Sequence, residues 1–130
     1  CLYRVESKHP IRYTIREGDV LPLLAGSGGR VLAAFSGEPG EPYETIRADY
    51  HHLSVGDRDP ETAGVSAPVL GPGRTLLGAL TLAGPRTRVD AAFLRRMTAP
   101  LLEAAARATR AFGEDASMLE GASLKAAQRL

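Results

Sequence analysis

Apolar and polar residues alternate with period two where this chain opens. Cys1, Tyr3 and Val5 fall on one face of CLYRV, and Leu2 and Arg4 on the other. In IRYTI, Ile11, Tyr13 and Ile15 alternate with Arg12 and Thr14. This period predicts two half-buried strands, and the linker ESKHP between them predicts a β-hairpin. REGD then turns the chain. Glycines at 26, 28 and 29 precede the helical pattern RVLAAF, with Ser27 placed to cap that helix. Gly37, Pro39, Gly40 and Pro42 end it in a loop. Residues 42–50, PYETIRADY, predict a second helix with Glu44 and Arg47 at i,i+3 on its exposed face. HHLSVGDRDPETA is polar and turn-rich, with one short strand around Leu53. Residues 65–70 predict a strand, 71–74 a hairpin turn and 75–83 a long strand. That last run is apolar on both faces, which suits a central strand covered on both sides. Asp90 stands as N-cap of a helix over 90–112, in which Leu94, Met97, Leu101, Leu102, Ala105 and Thr109 recur at helical spacing. Pro100 should kink or split that helix, and Gly113 should cap its end. Residues 114–130 carry weaker helical periodicity and an internal Gly121, and are expected to fray or to pack on a neighbouring chain.

A chain of 130 residues suffices for one domain with one core. The formal net charge of +1 offers no basic field for nucleic acid or a membrane surface. No apolar run approaches the roughly 20 residues that span a bilayer, and no signal-peptide pattern opens the chain. Cys1 has no second cysteine to pair with, as in proteins of a reducing, cytoplasmic compartment. A start without Met that runs straight into a strand reads as a fragment whose upstream residues have been removed. The alternative is a nucleophilic N-terminal cysteine, but no motif places a partner base near it.

The stretch 64–90 reads as strand, tight turn, strand, Gly-Pro stop and helix start, and it holds no catalytic group. Within its two strands the polar residues are few, small and neutral, as in a wall that faces a small ligand or nothing at all. Upstream, AGSGG offers backbone N–H groups at a helix start, where the dipole favours an anion. A small carboxylate could bind there at Ser27, Gly28 and Gly29. Equally, the glycines could serve only a tight turn and close packing. His51 and His52 are adjacent, so on a strand they face opposite ways, and with His9 they would form a zinc site only by accident of folding. Asp57, Asp59 and Glu61 lack EF-hand spacing and read as a solvated loop, with Asp57 at the edge of a pocket. Arg86 and Arg88 read as surface arginines beside a helix start. Tyr3, Tyr13, Tyr43 and Tyr50 read as core or pocket aromatics. Neither a metal nor a cofactor is predicted.

From residue 1 to about residue 113 the chain resembles the effector-binding domain of the IclR family of bacterial transcription regulators. The matching blocks are RVESKHPIR, LPLLAGSGGRVLAAF, GDRDPETAGVSAPVL and GRTLLGALTLAGPRTR, followed by the Pro-containing helix. Their order and spacing agree with the family. The resemblance implies an α+β, GAF-like (profilin-like) fold, with a curved antiparallel sheet flanked by helices. It also implies truncation at the N-terminus, since the first helix and strand of such a domain and the usual winged helix-turn-helix are missing. The domain would cover 1–113, with 114–130 a helical or disordered tail. Carried over residue by residue, the effector site would comprise Tyr13 and Leu21 as apolar wall, the loop residues Ser27, Gly28 and Gly29, then Ser54, Asp57 and Gly64. Thr81 and Ala83 complete it on one face of the last strand. Family members often carry hydroxyls at both of these last positions, and here only Thr81 does. Leu24 also replaces a commonly polar residue. The pocket is therefore less polar than that of a typical organic-acid sensor, which disfavours small hydroxylated or keto acids and leaves room for an aromatic acid.

The implied function is effector sensing and oligomerisation in a regulator. The implied partners are a small organic or aromatic acid and further copies of the chain, as homodimer or tetramer. DNA would be bound only through an absent N-terminal domain, and no membrane is involved. Ligand binding would act by population shift. A ligand-free dimerisation module is the alternative. A small hydrolase is another, but it needs a nucleophile–base constellation that Ser27, Ser54 and Thr81 do not supply.

Overall fold

The computed structural model describes residues 1–8 and 15–130. Two helices, α1 (Gly26–Phe35) and α2 (Tyr43–Asp49), precede three strands. The strands are β1 (His52–Val55), β2 (Thr62–Gly71) and β3 (Thr75–Pro85), with a 3-10 turn at Pro72–Arg74 between the last two. Helices α3 (Ala91–Ala111) and α4 (Ser117–Gln128) follow. Among the described residues the strands form one antiparallel sheet in the order β1-β2-β3. The fold is thus α+β, as expected.

Alternation along β2 builds two layers of packing. Ala63, Val65 and Ala67 point to one face and join Leu94, Leu102 and Ala105 of α3 and Leu119 of α4 in the main core. Gly64 and Ser66 point to the other face, where α1 lies. A second cluster there joins Val31, Ala33 and Ala34 of α1 to Tyr43 and Ile46 of α2.

Several expectations need correction. The long apolar strand is an edge, not the centre, among the described strands: β2 lies between β1 and β3. Leu80 and Leu82 face the main core while Ala79 packs on the α1 side, so β3 is apolar on both faces without being central. Periodicity cannot separate these two cases. Cys1–Val5 is not a strand. Its first residue is joined to the turn beyond the expected hairpin by Gly18 N–H to Cys1 O at 2.8 Å and the Cys1 amino group to Asp19 O at 2.8 Å. Leu2, Tyr3 and Val5 stay exposed, and a strand pair with no covered face is marginal. The second strand of that hairpin falls almost wholly within 9–14, outside the described residues.

Helix α1 begins at Gly26, ahead of the pattern that predicted it, and Gly26 turns the chain at φ +77°. Ser27 does not cap it, because its hydroxyl is turned to the sheet and accepts from Ser66. Arg47 is not drawn to Glu44. It donates to Ala34 O at 2.7 Å and Glu38 O at 2.8 Å, a cation at the carbonyl end of α1. Asp90 caps α3 by accepting from Phe93 N–H at 2.8 Å. The helix runs unbroken through Pro100, which lies on its exposed face, where water can take the carbonyl that proline leaves. Gly113, at φ +91°, ends α3 in a Schellman turn: Gly113 N–H reaches Arg110 O at 2.9 Å, and Glu114 N–H reaches Thr109 O at 3.2 Å. Beyond it α4 packs on α3, with Leu119 fully buried and Ser123 Oγ donating to Ala99 O at 3.0 Å.

Candidate functional site

Strand register sets the site. His52 pairs with Ser66 and Ser66 with Thr81, while Ser54 pairs with Gly64 and Gly64 with Ala83. These are two adjacent cross-strand rows on the face that carries α1. The first turn of α1 lies across them. Ser66 Oγ donates to Ser27 Oγ at 2.8 Å and contacts Thr81 Oγ1 at 2.6 Å. Ser27 and Ser66 are buried, whereas Thr81 is exposed. Glycines permit this approach. A Cβ at Gly64 would lie 3.0 Å from Ser27 Oγ and 3.2 Å from the Cβ of Ala83. A Cβ at Gly28 would lie 3.1 Å from Thr81 Oγ1.

A charged tie holds the other side of the helix start. Asp57, on the loop between β1 and β2, accepts from Gly26 N–H at 2.8 Å and from Arg30 Nε at 2.6 Å. Arg30 Nη2 reaches its second oxygen at 3.2 Å, so the pair is forked. The Arg30 hydrogen bond holds the Asp57 carboxyl below its ordinary range, helped by Gly26 N–H. Asp57 in turn raises the Arg30 guanidinium. Burial, and then the charge of Arg30, pushes His52 down. The loop expected to be solvated is therefore fastened to α1 through Asp57.

The expected site residues are distributed as follows. Ser27, Gly28, Gly64, Thr81 and Ala83 come together where α1 meets the sheet, with Ser54 half-buried in the neighbouring strand. Gly29 is pressed instead against the chain entering α1, since a Cβ there would lie 2.5 Å from Leu23 O. Asp57 borders the same helix start through Gly26. Leu21 belongs to an exposed apolar run with Val20, Leu23 and Leu24 that leads into α1. Tyr13 lies outside the described residues, as does His9. Among the described residues no group of three or more His, Cys, Asp or Glu side chains could hold a metal ion. Among the described residues no helix is long and apolar enough to cross a membrane. Sequence reasoning missed Ser66, the middle hydroxyl of the row. Its signal was an offset of two from Gly64 on one strand, which puts both on one face.

Two open clefts border α2. One, of about 280 Å³, lies beside Thr45, Ile46 and Leu53, and the other, of about 300 Å³, beside Tyr50, Met118 and Lys125. Neither is lined by Ser27, Gly28 or Thr81.

No family model matches the chain, and no curated protein does. Solved structures do. HmgR of Pseudomonas aeruginosa is 26% identical, with a TM-score of 0.68, over 82% of this chain and 51% of that one. The C-terminal domain of a transcriptional regulator from Vibrio cholerae is 24% identical, with a TM-score of 0.60, over 100% of this chain and 76% of that one. An IclR transcriptional regulator from Alicyclobacillus acidocaldarius is 16% identical, with a TM-score of 0.70, over 86% of this chain and 55% of that one. The chain spans about half the length of the first and third of these. The fold of the chain is thus similar to that of C-terminal domains of IclR-type transcriptional regulators, the family that its sequence resembles.

Proposed function

We propose that the chain is the effector-sensing and oligomerising domain of a cytoplasmic IclR-type regulator, and not an enzyme. In this reading residues 1–113 form the sensing domain, and 114–130 carry α4, which packs against its core. A small organic or aromatic acid binds where α1 meets the sheet, with its carboxylate near the helix start. Binding favours one arrangement of the domain, and that bias passes to a DNA-binding domain outside this chain. Copies of the chain pair as dimers or tetramers.

The observation that carries the reading is the junction of Ser27, Gly28, Ser66 and Thr81. Small neutral polar groups stand there beneath a helix N-terminus, with the exposed apolar run Val20, Leu21, Leu23 and Leu24 beside it. The hydroxyls in the junction are partnered by one another rather than by a base, which favours a sensor over a hydrolase. His52 is next to Ser66 in register, yet no hydrogen bond joins the two among the described residues.

A thermal-shift screen against small carboxylates, aromatic acids and sugar acids tests this. A true effector at 100-fold over its Kd should stabilise the fold by about 2.7 kcal/mol. Thr81→Arg, placed on the exposed end of the row, should abolish the shift, with the fold checked by its unliganded circular dichroism. A folded dimer that no compound stabilises would instead make this a ligand-free dimerisation module.

A further inference from the structure

Only two residues separate α2 from β1. Tyr50, at φ +59°, ends α2 in the left-handed region and turns the chain, and His51 leads into the strand. The cleft of about 280 Å³ lies between the two elements. One wall is a face of the helix and its cap, where Pro42, Thr45, Ile46 and Asp49 follow at i, i+3, i+4 and i+7. The other wall is His51, His52 and Leu53, at a free edge of the sheet. Strand β1 pairs with β2 and with no other described strand. An antiparallel edge strand turns every second N–H and C=O outward. A helix face beside such an edge is a setting for strand addition, in which an extended peptide takes backbone bonds from the edge and sets its side chains against the helix.

The groove also has a sign. Glu41 and Asp49 line it, and among the described residues neither has an ion-pair partner. No lysine or arginine lines it: Arg47 is turned to the carbonyls of Ala34 and Glu38, and Lys125 and Arg129 line the second cleft, which Asp49 also borders. The Glu41 carboxylate is fixed in place by Thr45, whose N–H donates to it at 3.3 Å and whose hydroxyl donates at 2.7 Å. At the helical rise, the span from Glu41 to Asp49 is about 12 Å. An extended chain covers that span in about four residues. Four is an even step, so two residues that far apart share a face with the residue midway between them. We propose that this groove binds an extended segment of a partner protein with the pattern cation-x-apolar-x-cation, added to β1 as a further strand. Its two cations meet Glu41 and Asp49, and its middle side chain lies over Ile46. Strand β1 has only 4 residues, so backbone bonds alone would hold such a segment weakly, and the charges select it. The groove includes none of Ser27, Gly28 and Thr81, so the proposal does not depend on the effector site.

The test titrates the chain with the peptide acetyl-Ser-Lys-Thr-Ile-Thr-Lys-Ser-amide and reads binding by NMR shifts and calorimetry. Shifts should gather on α2 and β1, and the outward amides of β1 should exchange more slowly once the peptide is bound. The same peptide with glutamate for each lysine should bind at least about tenfold more weakly, since it sets like charges together. Asp49→Lys should weaken the basic peptide by about as much. That variant places a cation at the end of a helix, where the dipole favours it, and circular dichroism checks its fold. Backbone pairing is read by N-methylating alternate residues of the peptide. Methyl groups in one phase should abolish binding, and in the other phase should leave it nearly unchanged, because only one edge of the added strand faces β1. No binding of the basic peptide, equal binding of the acidic one, or indifference to the phase of methylation would overturn the proposal. Self-association of the chain that Asp49→Lys breaks, with no binding of the peptide, would also overturn it and give the groove to a second copy.

Discussion

Gly29 has no room for a side chain, and the atoms in the way are backbone. A Cβ there would lie 2.5 Å from Leu23 O and 2.6 Å from Pro22 O, so the strand of chain entering α1 would have to move. Gly29→Ala should cost about 1–3 kcal/mol, as overpacking does, while Gly78→Ala, with nothing within 4 Å of its Cβ, should stay within about 0.5 kcal/mol. Urea midpoints of the two variants check this, and equal midpoints would deny the tight entry to α1. Titration offers a second test at this scale. Asp57 is held below its ordinary pKa by Arg30, so its contribution is complete above the unfolded carboxylate value and fades as pH falls through the lower folded one. His52 is pushed down by burial and by Arg30. Its folded form is neutral where the unfolded imidazole takes a proton, so stability should already drop as pH falls below the ordinary histidine value. Urea midpoints across pH 7 to 3 should thus show an upper step removed by His52→Gln and a lower step reduced by Asp57→Asn. Asp57→Asn should cost within about 1 kcal/mol at neutral pH, since the pair is partly exposed. An upper step that survives His52→Gln would remove His52 from the account.

Elements were legible wherever a local signal fixed them. Asp90 and Gly113 bracket α3 as a capping residue and a left-handed glycine must, and the spacing of Leu94, Leu101, Leu102 and Ala105 identified the face that is buried. The β2–β3 hairpin followed from the Gly-Pro-Gly turn between two apolar runs. What failed was decided by distant partners. The place of β3 at the edge depends on which strands pair, and both its faces are apolar for different reasons. Ser27 looked like a cap because capping is local, but Ser66, 39 residues away, claims its hydroxyl. Arg47 looked like half of a helical pair, but the carbonyls ending α1 claim it. For the site, the glycine-rich start of α1 and the two-residue offset of Thr81 and Ala83 were visible in sequence. The row through Ser66, and the fastening of Asp57 to Arg30, appear only once register and loop path are known.

At the scale of the whole molecule the open question is where the folding unit ends. Sequence resemblance stops near residue 113, yet α4 buries Leu119 fully and Ala116 almost so against the same core as β2 and α3. Ser123 adds a hydrogen bond to Ala99 O on α3. Removing 114–130 would bare that face of α3 and strip the core of its last layer. Burial of one leucine is worth about 1.5–3 kcal/mol, a large part of the stability of a domain this size. Leu119→Ala should therefore cost about 2–5 kcal/mol, while Leu124→Ala on the outer face of α4, 66% exposed, should stay within about 0.5 kcal/mol. A chain ending at Gly113 should unfold at a much lower midpoint or lose its cooperative transition altogether, read by circular dichroism at several wavelengths. Were it to keep the midpoint of the longer chain, α4 would be an appendage resting on a finished domain, and the boundary at 113 a true one. Were it to fail, α4 would be part of the scaffold that holds β2 under α1, and the proposed ligand site would have to be tested on the longer chain.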